Sequence, residues 1–344
     1  MKFTIVVTED CNLRCSYCYE GDNKNTSKMN FQTADKVINF IAKKINEESD
    51  DVYQPIVIFH GGEPLLNFEI IKYIYNKLNN VVKKNIRYDM TTNGTILNDE
   101  IEEFILNNID ALSISLDGIK ESHNKFRIFA NGSGSYDIVI KNARRLLSKS
   151  SNLRVRMTFS MNTVKYMYES VKEMHKMGFK YIVPALDKLS QWDEHSIKTL
   201  ENQVDKVVAY KKENIEAKIS TADIITLNTK KGDCFGGVVS FCIGSKGLVY
   251  PCAYAIGKDE FIIGNVNNTN SCLNKSKIEE MININRVGSE NCKGCTRYEY
   301  CSGPRCKIIN KLATDDYNLP SYMTCISQHM EVRATKSLMD KINI

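Results

Sequence analysis

The sequence predicts an α/β fold, a partial TIM-like (β/α)6 barrel followed by a cysteine-rich C-terminal domain. Three observations carry that expectation. From residue 2 to about 217, short apolar runs alternate with longer segments of helical periodicity, the pattern of parallel β/α units. After about residue 218 the texture changes to short runs and glycine-bearing turns. The twelve cysteines fall in two zones, three between residues 11 and 18 and nine between 234 and 325. The expected division is therefore 1–217 for the barrel and 218–344 for the second domain.

The six expected strands are Phe3–Val7, Ile56–Phe59, Arg87–Thr91, Ala111–Ser115, Val155–Phe159 and Tyr181–Val183. Helical periodicity follows them, as in Ala34–Asn46, Ile70–Val82 and Tyr136–Leu147. Parallel barrels gather their chemistry at the C-terminal ends of the strands, so functional motifs are expected there. In the second domain Phe241–Ile243 and Leu248–Tyr250 flank Gly244-Ser245-Lys246-Gly247, a hairpin with a four-residue loop. Small apolar cores of this kind are often stapled by metal.

Composition narrows the class. With 42% hydrophobic and 25% charged residues, the chain reads as an ordinary globular protein. No apolar run approaches the roughly 20 residues that span a bilayer. The opening Met1–Val7 runs into the first cysteine without the length or cleavage site of a signal peptide, so a cytoplasmic location without membrane contact is expected. Cysteines in such a setting favour metal binding or catalysis over disulfides. The formal charge of +5 counts every cysteine as neutral, so metal-bound thiolates would offset the basic excess. Lys and Glu are interleaved, as in Lys43-Lys44-Ile45-Asn46-Glu47-Glu48, which is the pattern of solvated helix faces. No nucleic-acid partner is expected.

Cys11-Asn12-Leu13-Arg14-Cys15-Ser16-Tyr17-Cys18 places three thiols on one loop after the first strand. They can grip three irons of a cubane and leave the fourth open. A zinc site missing its fourth ligand fits the same three thiols.

The spacing C-x3-C-x2-C, with Tyr17 before the last cysteine, resembles the signature of the radical S-adenosylmethionine (SAM) superfamily. The resemblance implies a [4Fe–4S] cluster on Cys11, Cys15 and Cys18 whose open iron chelates SAM. Reductive cleavage of SAM would then yield a 5′-deoxyadenosyl radical, with the protein orienting the reactants and excluding water. His60-Gly61-Gly62-Glu63-Pro64-Leu65 resembles the family's GGEP motif, implying that Gly61, Gly62, Glu63 and Pro64 bind the amino group of SAM. Glycines allow close backbone approach to a ligand, and a carboxylate suits an ammonium. Thr91-Thr92-Asn93-Gly94-Thr95 alone would read as a turn, yet it resembles the family's TNG element, which puts Thr92 and Asn93 near the cofactor. Ser113-Ile114-Ser115-Leu116-Asp117-Gly118 is similar to the segment that contacts the ribose or carboxylate of SAM, implicating Ser115 and Asp117. Asp117 equally suits a helix or turn cap. Arg127 is a further candidate for the SAM carboxylate.

The distal cysteines read Cys234, Cys242, Cys252, Cys272, Cys292, Cys295, Cys301, Cys306 and Cys325. Alone, Cys292 to Cys306 would suggest a zinc ribbon. Beside the triad, the set resembles a SPASM domain, which implies two auxiliary [4Fe–4S] clusters and so three in all. By that resemblance the first takes Cys234, Cys242, Cys252 and Cys306, and the second Cys292, Cys295, Cys301 and Cys325. The gap from Cys301 to Cys306 is one residue longer than is usual in the family. Cys272 has no counterpart and reads as a buried small hydrophobe.

The resemblance implies an oxidoreductase acting on a ribosomally made peptide or protein, served by an external donor such as flavodoxin or ferredoxin. Anaerobic sulfatase-maturating enzymes carry an Asp directly after the hairpin cysteine as proton acceptor, and here that position is Ala253. Thioether or carbon–carbon crosslinking of a peptide is therefore expected, with epimerisation as the alternative. A protein that only binds metal or passes electrons would need no SAM motifs. Ten residues precede Cys11 and nineteen follow Cys325, so leader recognition is expected from the barrel rim, a strand edge or a separate protein. The general base is not assignable among Asp187, Asp223 and Asp233.

Overall fold

The computed structural model describes residues 1–18, 26–48, 53–221, 229–268 and 271–342. Asp223 lies outside them. The chain divides into two compact units, Met1–Ser113 with Phe235–Asn283, and Ile114–Cys234 with Ile284–Ile344.

The first unit is built on β1 (Lys2–Thr8), β2 (Ile56–Gly61) and β3 (Arg87–Thr92), which pair in parallel. Every β1 residue from Phe3 to Thr8 is buried, as expected of a parallel strand covered on both faces. Helix α1 (Phe31–Glu47) returns the chain, capped by Asn30, whose side chain accepts the Thr33 N–H at 2.8 Å. Its buried face carries Ala34, Val37, Ile38, Ile41 and Ile45 at helical spacing. Helix α2 (Phe68–Val81) buries Ile70, Ile71, Ile74 and Leu78 in the same way. Register slips between Val6 and Thr8, so that Thr8 lies opposite Gly61 immediately before the cysteine loop.

The hairpin is present, as β8 (Ser240–Ile243) and β9 (Leu248–Tyr250). It does not stand alone. β8 pairs in parallel with β1, setting Phe241 opposite Phe3 and Cys242 opposite Thr4. The Phe3 and Phe241 rings stack at 5.7 Å, and Phe40 of α1 meets both edge-on. Such pairs add about 0.5–1.5 kcal/mol each beyond area burial. A further strand, β10 (Gly264–Asn265), pairs antiparallel with β9.

Helix α3 (Asp99–Asn108) leads to β4 (Ala111–Ser115), which begins in the first unit and ends in the second. The second unit contains β5 (Arg154–Phe159), β6 (Tyr181–Leu186) and β7 (Lys218–Ile219), all parallel. Its helices include α4 (Lys120–Phe126), α5 (Tyr136–Leu147), α6 (Met167–Lys176) and α7 (Glu194–Glu213). A capping box between Asp193 and Ser196 starts α7. The C-terminal helix Tyr322–Ile342 docks on α7 through Arg333 to Asp205 at 2.9 Å and Lys212 to Ser337 at 2.9 Å. Among the described residues, no helix is long and apolar enough to cross a membrane.

Candidate active site

The cysteine loop is anchored at its base. Thr8 Oγ1 donates to the Ser27 carbonyl at 3.2 Å, and the Glu9 N–H donates to the same carbonyl at 2.8 Å. The buried Ser245 of the hairpin turn donates to Glu9 Oε1 at 2.7 Å and lies 2.9 Å from Ser27 Oγ. Sequence reading assigns this serine nothing, because a turn residue carries no mark of what its hydroxyl will meet. Within the loop, Arg14 donates to the Cys11 and Leu13 carbonyls at 2.5 and 2.9 Å, and the Cys18 N–H to the Cys15 carbonyl at 3.0 Å. Cys11 is buried, while Cys15, Tyr17 and Cys18 are half-buried.

The two glycines after β2 answer to a different constraint from the one their sequence suggests. A Cβ on Gly61 would lie 2.2 Å from the Thr8 carbonyl oxygen, and one on Gly62 only 2.4 Å from that of Asp10. The Gly62 and Glu63 N–H groups donate to those carbonyls at 3.0 and 2.9 Å. The close approach seen here is to the chain's own backbone just ahead of Cys11.

Glu63 is fully buried between the motifs. Its carboxylate accepts from Thr92 Oγ1 at 2.8 Å, the Asn93 N–H at 2.6 Å and the Leu65 N–H at 3.1 Å. Burial pushes its pKa up to about 7 despite these donors. Pro64 begins a short 3-10 turn over Pro64–Asn67 that Glu63 caps. From the other side Asn93 Nδ2 donates to Asn12 Oδ1 at 2.8 Å and lies 3.8 Å from Cys11 Sγ. Asn12 Nδ2 donates to Thr95 Oγ1 at 2.8 Å. Three segments distant in sequence, Cys11–Cys18, Gly61–Pro64 and Thr92–Thr95, therefore form one hydrogen-bonded assembly.

In the second unit, half-buried Ser115 ends β4. Asp117 and Arg127 are buried and pair with each other, Arg127 Nε donating to Asp117 Oδ2 at 2.9 Å. Asp117 Oδ1 accepts the Thr158 N–H at 2.9 Å. His123, to which sequence reading gives no role, is also buried, accepting the Asp117 N–H on Nδ1 at 3.2 Å with Nε2 2.8 Å from Ser135 Oγ. Burial lowers its pKa to about 4. Gly118, with φ of 81°, presses against Ser170, where a Cβ would clash. Asp187 accepts from the Leu189 N–H at 3.1 Å, and Asp233 is exposed.

A family model for the radical SAM superfamily matches residues 5–177, half of the chain. The chain belongs to the radical SAM superfamily. A cysteine-type anaerobic sulfatase-maturating enzyme of Clostridium novyi is 27% identical over 326 residues, covering 86% of this chain and 84% of that protein. The solved structure of native anSMEcpe with bound AdoMet superposes with a TM-score of 0.81 at 20% identity, covering 99% of each chain. Streptococcus suis SuiB bound to its precursor peptide SuiA gives a TM-score of 0.67 at 15% identity, covering 94% of this chain and 75% of SuiB. At those identities the two structures report the fold alone. Membership of the superfamily brings a [4Fe–4S] cluster and SAM as cofactors.

This radical SAM enzyme holds a second cysteine assembly. Cys292, Cys295, Cys301 and Cys325 line one pocket together with Pro304, Pro320 and Val332. Desolvation raises the Cys301 and Cys325 thiols, and the neighbouring cysteines raise them further. The Gly303 N–H donates to Cys301 Sγ at 3.3 Å, inside a 3-10 turn over Gly303–Arg305 that takes up the long Cys301–Cys306 spacing. Four thiols whose negative forms oppose one another in an apolar pocket suit a multi-iron group that would neutralise them. Among the described residues, no three His, Cys, Asp or Glu side chains converge on a single metal ion.

Cys306 is half-buried, and its thiol is raised by desolvation and by Cys234. Cys242 is buried on β8 and Cys252 half-buried beyond β9. Cys272 is half-buried rather than buried. Its Sγ lies 3.6 Å from the Asn268 carbonyl, and its own carbonyl accepts the Asn265 N–H at 2.8 Å, which ties it to the edge strand rather than to the apolar core.

Proposed function

We propose that this enzyme oxidatively matures a ribosomally made peptide, forming a thioether or carbon–carbon crosslink. The observation that carries the reading is the four-cysteine pocket of Cys292, Cys295, Cys301 and Cys325, a redox site that SAM cleavage by itself does not call for. A crosslink removes two hydrogens from the peptide: one leaves as an atom to the deoxyadenosyl group, the other as a proton, and the remaining electron needs an acceptor.

Cys11, Cys15 and Cys18 would hold the SAM-cleaving [4Fe–4S] cluster, which when bound supplies the electron for reductive cleavage to the 5′-deoxyadenosyl radical. Gly61 and Gly62 bring the β2 turn against the loop that presents these thiols, and Glu63 fixes Thr92 and Asn93 beside it. Tyr17, Gly61, Gly62, Glu63, Pro64, Thr92, Asn93 and Ser115 are the residues we assign to the SAM site. Asp117 and Arg127 support it as a buried pair that fixes the end of β4. Two auxiliary clusters complete the set, on Cys292, Cys295, Cys301 and Cys325 and on Cys234, Cys242, Cys252 and Cys306, giving a radical SAM domain over 1–217 and a SPASM domain over 218–344. An external flavodoxin- or ferredoxin-type donor supplies the first electron. A separate leader-binding protein, the barrel rim or a strand edge presents the peptide.

Sulfatase maturation is the second reading, favoured by the name of the Clostridium novyi relative. Against it stands Ala253, a side chain that accepts no proton, at the position where those enzymes need a base. Reconstituted enzyme, SAM, reductant and a candidate precursor peptide in heavy water separate the outcomes. Loss of two hydrogens supports crosslinking; gain of one solvent deuterium at an unoxidised carbon supports epimerisation and overturns it. Conversion of a sulfatase-derived cysteine peptide to formylglycine would establish the second reading.

A further inference from the structure

We propose that Asn93 positions and tunes the Cys11 thiolate, its side-chain amide donating to Cys11 Sγ and so raising the reduction potential of the cluster on that loop. This rests on the reading of Cys11, Cys15 and Cys18 as cluster ligands. The resemblance puts Asn93 near SAM, and the geometry in addition turns its side-chain amide to the cysteine loop.

The amide has only one workable orientation. Oδ1 accepts the Thr95 N–H at 2.9 Å and Thr95 Oγ1 at 2.6 Å, which leaves Nδ2 on the side of the cysteine loop. One of its hydrogens goes to Asn12 Oδ1 at 2.8 Å, and Cys11 Sγ lies 3.8 Å from the same nitrogen. Turning the amide over would set two carbonyl oxygens against each other at Asn12. The Asn93 backbone is clamped in turn by Glu63, at 2.6 Å.

A turn at Thr92-Asn93-Gly94 explains Gly94, with φ of 75°, and the use of Oδ1 as a local acceptor. It makes no use of Nδ2. Asn93 and Cys11 are 7% and 8% exposed, so water is poorly placed to substitute for the amide. The Leu13 N–H, 3.4 Å from Cys11 Sγ, is a second donor to the same sulfur. Hydrogen bonds to a ligand sulfur draw off negative charge and favour the electron-rich reduced cluster, more so in a buried site. Removing the amide makes that cluster harder to reduce.

The test is a redox titration of the reconstituted full chain followed by electron paramagnetic resonance, using the reduced-cluster signal that changes when SAM is added. Asn93→Ala removes the donor, and Asn93→Ser does so while keeping a short polar group for the Thr95 N–H. Thr95→Val removes the hydroxyl bonded to Oδ1 and to Asn12 but keeps the Thr95 N–H that orients the amide, and leaves the Nδ2 donor in place. The expected result is a shift to more negative potential in Asn93→Ala and Asn93→Ser at unchanged iron and sulfide content, with the Thr95→Val potential unmoved. An unshifted potential in either Asn93 variant that keeps its cluster overturns the proposal, as does an equal shift in Thr95→Val. Loss of the cluster from both Asn93 variants but not from Thr95→Val overturns the tuning claim, since the amide would then serve assembly. A wild-type protein with no SAM-responsive signal refutes the reading of the cysteine loop itself.

Discussion

The fully buried Glu63 carboxylate takes the Asn93 N–H at 2.6 Å, so a buried acid joins the turn after β2 to the turn after β3. Its pKa lies at about 7 against an ordinary value of 4.5. A folded-state pKa raised in this way adds stability that is complete below about pH 4.5 and lost as the pH climbs through about 7. The span is worth about 3 kcal/mol.

His123 works in the opposite sense. Its folded pKa is lowered from 6.5 to about 4, so its contribution is complete above pH 6.5 and lost as the pH falls toward 4. The magnitude is again about 3 kcal/mol. Between pH 6.5 and 4.5 the two slopes oppose each other. Urea unfolding should therefore show Glu63→Gln losing stability on acidification and His123→Gln gaining it, with the wild type flatter than either. Parallel slopes in the two variants would contradict this.

Arg127→Ala leaves Asp117 buried with the Thr158 N–H but without its cation. Breaking one side of a buried pair costs about 3–5 kcal/mol. Asp117→Asn in the same background should recover part of that loss, a non-additivity that a double-mutant cycle in urea measures.

Gly62→Ala places a Cβ against the Asp10 carbonyl, backbone that cannot step aside cheaply. The change should remove the SAM-responsive cluster, lowering iron by roughly four per chain, while the pocket around Cys301 keeps its own. Iron and sulfide assays check this.

Cys301→Ala should likewise remove roughly four irons, from the distal pocket. SAM cleavage to 5′-deoxyadenosine should persist, and peptide oxidation should fall below detection. Crosslinking at the wild-type rate would detach the pocket from the reaction.

Much of the barrel was legible because short runs rich in buried apolar residues, unbroken in β1 and alternating in β3 and β5, are separated by segments of helical period. Ala111–Ser115 is found with the expected ends, and the other five strands lie within a few residues of theirs. Lys218–Ile219 is too short to leave a pattern, and its strand identity comes from pairing with β6. The hairpin was legible in its turn, but its docking on β1 was not, since Phe241 carries no label naming Phe3 as its neighbour. At the site, residue types were easier to foresee than partners. Glu63, Asn93 and both glycines were singled out for a ligand, and the structure shows them first holding one another and the cysteine loop. Asp117 and Arg127, ten residues apart, meet only because the chain turns back after β4.

The most direct test of the account is SAM turnover by the anaerobically reconstituted protein with dithionite. The account predicts 5′-deoxyadenosine from the wild type and none from Cys11→Ala, Cys15→Ala or Cys18→Ala, with the distal iron retained in each. A wild type that binds zinc in place of iron and sulfide, or cleavage that survives loss of any of the three cysteines, would contradict it.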